Sequence, residues 1–111
     1  MNSKYIEVCE RLDWTVREYK DGSVDVAKQS PAGEDFSFGV SSENFVDEVK
    51  QYAAYFNVDE HVEMWIEARR NGVRGVPSSI RELVEDAEAI DKMLQELAAA
   101  LAEVEDDDDS E

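Results

Sequence analysis

From Ile80 to Val104 the apolar residues Ile80, Leu83, Ala87, Ile90, Leu94, Leu97, Leu101 and Val104 recur at spacings that alternate three and four. A strand turns successive side chains to opposite faces and cannot gather these positions, whereas an α-helix lines them along one stripe. The seam therefore predicts a helix from Ile80 to Glu105, opened by Ser79 and Glu82 as a capping box. At 1.5 Å per residue that helix is roughly 38 Å long. A domain of this size has a radius of gyration near ~13 Å, so the helix must cross it and overhang. The half from Ile80 to Ile90 is expected to pack on its own domain. Leu94, Leu97, Leu101 and Val104, flanked by Ala98, Ala99, Ala100 and Ala102, are expected to offer a seam to a second copy, giving a possible homodimer; the rival expectation is that the whole seam covers the sheet of its own chain.

The other elements must cover that helix. Tyr5, Cys9 and Leu12 share one face of a short helix over residues 3–12, with Ser3 as its cap. Three runs then alternate with period two: Trp14 and Val16; Val24 and Val26; Phe36, Phe38 and Val40. Asp21-Gly22 is a hairpin signal between the first two, since glycine takes positive φ cheaply. The cluster Ser30-Pro31-Ala32-Gly33 turns the chain between the second and third. Phe45, Val49, Tyr52, Ala53 and Phe56 form an amphipathic stripe. Asp59 is read as the cap of a further helix that carries Val62, Trp65 and Ile66 and stops at Gly72. The fold class is α+β: an N-terminal helix, a three-stranded antiparallel meander, then three helices with a long C-terminal helix. Residues 1–105 form one domain, and 106–111 are expected to be a disordered acidic tail.

Charge decides the class of partner. The chain of 111 residues carries a formal net charge of −17, about twice the ~2–8 that solubility asks of a small domain. Residues 79–111 hold thirteen acids and two bases, a net of −11. Nucleic acids and anionic membranes are disfavoured as direct ligands, because both are bound by clustered Lys and Arg. A basic protein is the expected partner. Glu82, Glu85, Asp86, Glu88 and Asp91 are the candidate partner-binding residues, with no base between them. Their spacing along a helix is roughly 3 Å per charge, close to the ~3.4 Å phosphate spacing of one DNA strand.

No catalytic constellation is present. His61 is the single histidine and Cys9 the single cysteine. His61 and Glu63 stand at i, i+2, which face different sides of a helix. Gly72-Val73-Arg74-Gly75 lacks the Lys-Ser/Thr of a phosphate loop, and the acids at 106–109 lack the spaced ligands of a calcium loop. The chain reads as a non-enzyme with no cofactor and no metal. Arg69, Arg70 and Arg74 form the one basic cluster, read as a complement to a helix C-terminus. The lone cysteine, the absence of an apolar run of about 20 residues and the absence of a signal layout in MNSKYIEVCERL read as cytoplasmic.

Three segments carry a resemblance: Ser-Pro-Ala-Gly-Glu-Asp-Phe-Ser-Phe from Ser30 to Phe38, Asp-Glu-His-Val-Glu-Met-Trp-Ile-Glu-Ala-Arg from Asp59 to Arg69, and Gly-Val-Pro-Ser-Ser-Ile-Arg-Glu-Leu from Gly75 to Leu83. Over residues 5–104 they resemble a functionally uncharacterised family of small acidic proteins of conjugative elements and prophages. By class, through size and acidity, the chain is also similar to anti-CRISPR and antirestriction proteins that mimic DNA, a likeness that transfers no residue. It implies an inhibitor that blocks the basic groove of a host defence nuclease. A small acidic dimerising adaptor or interaction protein without mimicry is the alternative expectation.

Overall fold

The computed structural model describes residues 1–72 and 79–109, with side chains to 105. Helix α1 (Ser3–Arg11) is followed by strands β1 (Thr15–Glu18), β2 (Ser23–Gln29) and β3 (Asp35–Ser41). Helices α2 (Phe45–Tyr55), α3 (Val58–Arg70) and α4 (Ile80–Asp109) complete the chain. The strands form an antiparallel sheet in the order β1-β2-β3, and the expected α+β architecture is the observed one.

Local chemistry explains each boundary. Asn2, not Ser3, caps α1: its side-chain oxygen accepts the Lys4 N–H at 2.9 Å. At the other end Asp13 takes a left-handed φ of 68°. The Asp13 and Trp14 N–H groups reach back to the Glu10 and Cys9 carbonyls at 3.0 and 2.8 Å. That is a Schellman ending with aspartate where glycine is usual, a signal the sequence pattern does not announce. Gly22, at φ 90°, makes the first hairpin turn, and the Asp21 carboxylate accepts both the Ser23 N–H and hydroxyl. Asn57 caps α3 in place of the expected Asp59, its side-chain oxygen accepting from the Glu60 N–H. Ser79 caps α4, its hydroxyl oxygen accepting the Glu82 N–H at 3.2 Å.

The sheet buries one face, through Val24, Val26, Phe36, Phe38 and Val40, and leaves Asp25, Ser37 and Gly39 outside. Helices α1 and α2 lie against β1 and β3, and α4 packs on α1, α2 and α3. Aromatic rings fill the centre. Tyr52 stacks on Phe38 with centroids 4.4 Å apart, and Trp14 meets Phe38 edge-on at 5.9 Å. Burial of each such side chain contributes about 1.5–3 kcal/mol.

The half of the long helix expected to pack on its own domain does so at Leu83, Ala87 and Ile90, but so does the half expected to face a second copy. Leu94, Leu97 and Leu101 are fully buried within their own chain and Val104 is half-buried, so the seam expected at a dimer interface is already covered. Ile80, expected to pack inward, is 62% exposed. The physical reason is that α2 runs along the C-terminal half of α4, where the Gln95 side chain donates to the Ala53 carbonyl and Lys50 pairs with Glu105. Trp65, expected in the core from its place in the apolar pattern of α3, is not a core residue. Nothing on α3 is buried, and the Trp65 ring instead lies under the Arg69 guanidinium at 4.3 Å. The helix continues to Asp109 through most of the segment expected to be disordered. Ser110 and Glu111 lie outside the described residues, as do Arg74 and the rest of 73–78. At 30 residues α4 is about 45 Å long, nearly the full 51 Å length of the molecule. No helix among the described residues is long and apolar enough to cross a membrane.

Candidate functional site

The helix α4 separates the five expected acids into two groups. Glu82, Glu85 and Glu88 are exposed. Asp91 is half-buried and accepts from the Gln95 side chain at 3.2 Å. Asp86 is 3% exposed and belongs to the interior, which corrects its assignment to the partner-facing surface. The seam itself carried that signal: Asp86 follows Leu83 by three and precedes Ile90 by four, so a helix must turn it inward. Exposed Glu96 and Glu103 extend the outward acids toward the far end of α4. Two bases interrupt them: exposed Lys92, and Arg81, which pairs with Glu85 at 3.5 Å.

Inside, Asp86 organises a polar cluster. Its carboxylate accepts the Ser30 hydroxyl at 2.6 Å and the Ala32 N–H at 3.1 Å, while the Ser30 oxygen accepts the Glu34 N–H at 2.9 Å. The Glu34 carboxylate lies 3.0 Å from His61 Nε2 on α3. Burial raises the Glu34 pKa above the usual range; the His61 ring opposes that shift and Asp86 adds to it. This cluster ties the turn between β2 and β3 to α3 and α4. His61 is therefore a partner of Glu34, and no group of three or more His, Cys, Asp or Glu among the described residues is placed to hold a metal.

A second feature escaped the sequence reading. A groove of about 620 Å³ runs between β3 and the helices α2 and α3. Its apolar walls include Tyr52, Phe56, Tyr55 and Met64, the last two 83% and 69% exposed. Its acids are Glu34, Asp35, Glu48 and Glu60, and no Lys or Arg is among its lining residues. Among these acids Glu48 is held in place, its carboxylate accepting from the Ser41 backbone N–H and hydroxyl. The available signal was Tyr55, which is off the apolar stripe of α2 yet large and hydrophobic.

Arg69 and Arg70 occupy the last turn of α3, where cations complement the helix dipole. No protein-family model, no curated protein and no solved structure matches this chain.

Proposed function

We propose that the protein is a binding module and not a catalyst: an acidic inhibitor that occupies a basic, nucleic-acid-binding surface of another protein. The observation that carries this reading is the placement of charge. A net of −17 is held on a small domain, and Glu82, Glu85, Glu88, Glu96 and Glu103 project from one long helix. A helix has already met its backbone ordering cost, so its carboxylates meet a partner's Lys and Arg at the cost of side-chain freedom alone. Such a surface attracts the same groups that phosphates attract, and steers encounter at long range. The basic groove of a nucleic-acid-handling enzyme, a host defence nuclease among them, is the partner class that follows.

The adaptor reading loses its main support, because the Leu94–Leu101 seam is occupied by its own chain. The test is capture of proteins from a bacterial lysate on the immobilised protein, followed by elution with duplex DNA. A mimic releases its partner to DNA. A retained protein that DNA does not displace, at any concentration, would count against the reading.

A further inference from the structure

We propose that the free edge of β3 is a docking site for an extended segment of a partner protein, in which basic side chains alternate with apolar ones. The hydrogen-bond parity of β3 shows which groups are available. Ser30 N–H donates to the Glu34 carbonyl and Ser42 N–H to the Gly22 carbonyl, each at 2.8 Å. In an antiparallel ladder, paired residues alternate with residues whose N–H and C=O point away. Even-numbered positions of β3 therefore face β2, while Asp35, Ser37, Gly39 and Ser41 face outward. Ser41 confirms the parity, since its N–H goes to Glu48. Asp35, Ser37 and Gly39 remain, each with an outward donor and acceptor over roughly 13 Å of strand.

Long edge strands are usually blunted by Pro, Lys or a bulge, because they invite another strand to pair. The edge strand β1 is only four residues long. Strand β3 has seven residues and none of those devices. Beside its edge lie the exposed Tyr55 and Met64 and the half-buried Phe56, an apolar wall for every second side chain of an added strand.

Charge selects the occupant. The remaining side chains of the added strand would rise over the outer sheet face, where Asp35 is exposed and Asp25 stands opposite Gly39. Gly39 has no side chain to intervene, and a Cβ there would lie 3.8 Å from Asp25 Oδ1. A lysine or arginine can therefore reach across Gly39 to Asp25. Glu48 and Glu60 repeat the same sign on the groove side. A second copy of this chain would bring its own Asp35 and Asp25 to the same edge, and like charges repel. The inference rests on the reading that the partner is basic, but it uses a surface separate from α4.

The probe is a fluorescent seven-residue peptide alternating lysine and valine, titrated by anisotropy, beside a glutamate–valine counterpart and a copy N-methylated at alternate amides. The lysine peptide is expected to bind wild type and the other two to bind at least about tenfold more weakly, since each buried backbone hydrogen bond is worth about a factor of ten. Gly39→Pro removes only an outward N–H and is tolerated on an edge strand; it should weaken the lysine peptide about tenfold. Gly39→Ala keeps the N–H, and its Cβ meets only ordinary contacts, so it should weaken the lysine peptide less than Gly39→Pro does. The N-methylated peptide reports on native protein, so a Gly39→Pro fold defect cannot mask the result. Undiminished binding of the N-methylated peptide, no binding of the lysine peptide, or self-association abolished by Gly39→Pro would each overturn the proposal. Replacing Glu82, Glu85 and Glu88 by Gln should leave peptide affinity unchanged, which separates failure here from failure of the α4 reading.

Discussion

The Ser30 hydroxyl donates to the Asp86 carboxylate at 2.6 Å, joining the turn between β2 and β3 to the second turn of α4 across 56 residues of sequence. Both side chains are buried. Removing one partner of a buried, charged hydrogen bond leaves the other desolvated and unpaired, at a cost of about 1.5–3 kcal/mol. Ser30→Ala should therefore lower unfolding stability by that amount in urea melts. Asp86→Ala should cost a similar amount, since it strands the Ala32 N–H as Ser30→Ala strands the Glu34 N–H. If Asp86→Ala melts as wild type does, the cluster is not holding the turn.

Two aromatic truncations should separate core from surface. Phe38 is buried between Tyr52 and Trp14, and Phe38→Ala should cost ~3–5 kcal/mol. Trp65 is half-buried on a helix without buried residues and chiefly meets Arg69. Trp65→Ala should cost only ~0.5–1 kcal/mol, the value of an exposed cation–π contact. Equal losses in thermal or urea melts would place Trp65 back in the core.

Glu34 should make stability depend on pH in a direction opposite to that of a salt-bridged acid. Its pKa is raised, chiefly by burial, with the His61 ring and Asp86 as the titratable groups that face it. The folded state thus holds this proton more tightly than the unfolded state. Its contribution is complete below the ordinary carboxylate range and is lost as pH rises through the raised value. Glu34→Gln should flatten the fall in stability between that range and neutrality. Parallel pH profiles for the two proteins would contradict it.

Cys9 should be inert in the native protein. Burial pushes its thiol up to about 11, so on the order of one molecule in a thousand is thiolate at pH 8. A disulfide reagent should react at the rate of unfolding, and at full speed in denaturant. Rapid reaction in native buffer would show the α1 face to be open.

Periodicity made the elements legible but left their partners open. The three-four seam placed α4 and the alternating runs placed the sheet, because side-chain period is set by local geometry alone. That the seam is covered by its own chain along both halves of α4, from Leu83 to Leu101, depends on where the other helices land, a non-local outcome that no spacing records. Asp86 looked like one acid among five because composition counts charges without direction; its position between Leu83 and Ile90 was the better guide. Caps at Asn2 and Asn57 lay one or two residues before the expected ones, within the usual uncertainty of a helix end. The β3 groove was invisible for a further reason. An edge is defined by the strand that is missing beside it, and sequence pattern describes only the strands present.

The central claim is that the outward acids of α4 compete with nucleic acid for a basic protein surface. Because Asp86 is structural, the informative variant carries Glu82→Gln, Glu85→Gln and Glu88→Gln alone. Exposed pairs contribute about 0–1 kcal/mol each, so the three together can account for up to about two orders of magnitude in affinity, of which the account requires at least about one. The measurement is inhibition of DNA binding by the captured partner, with wild type and the triple variant compared across a salt series. The account predicts that wild-type potency falls steeply with salt and that the variant is at least about tenfold weaker at low salt. Equal potency of the two proteins, unchanged by salt, would contradict it.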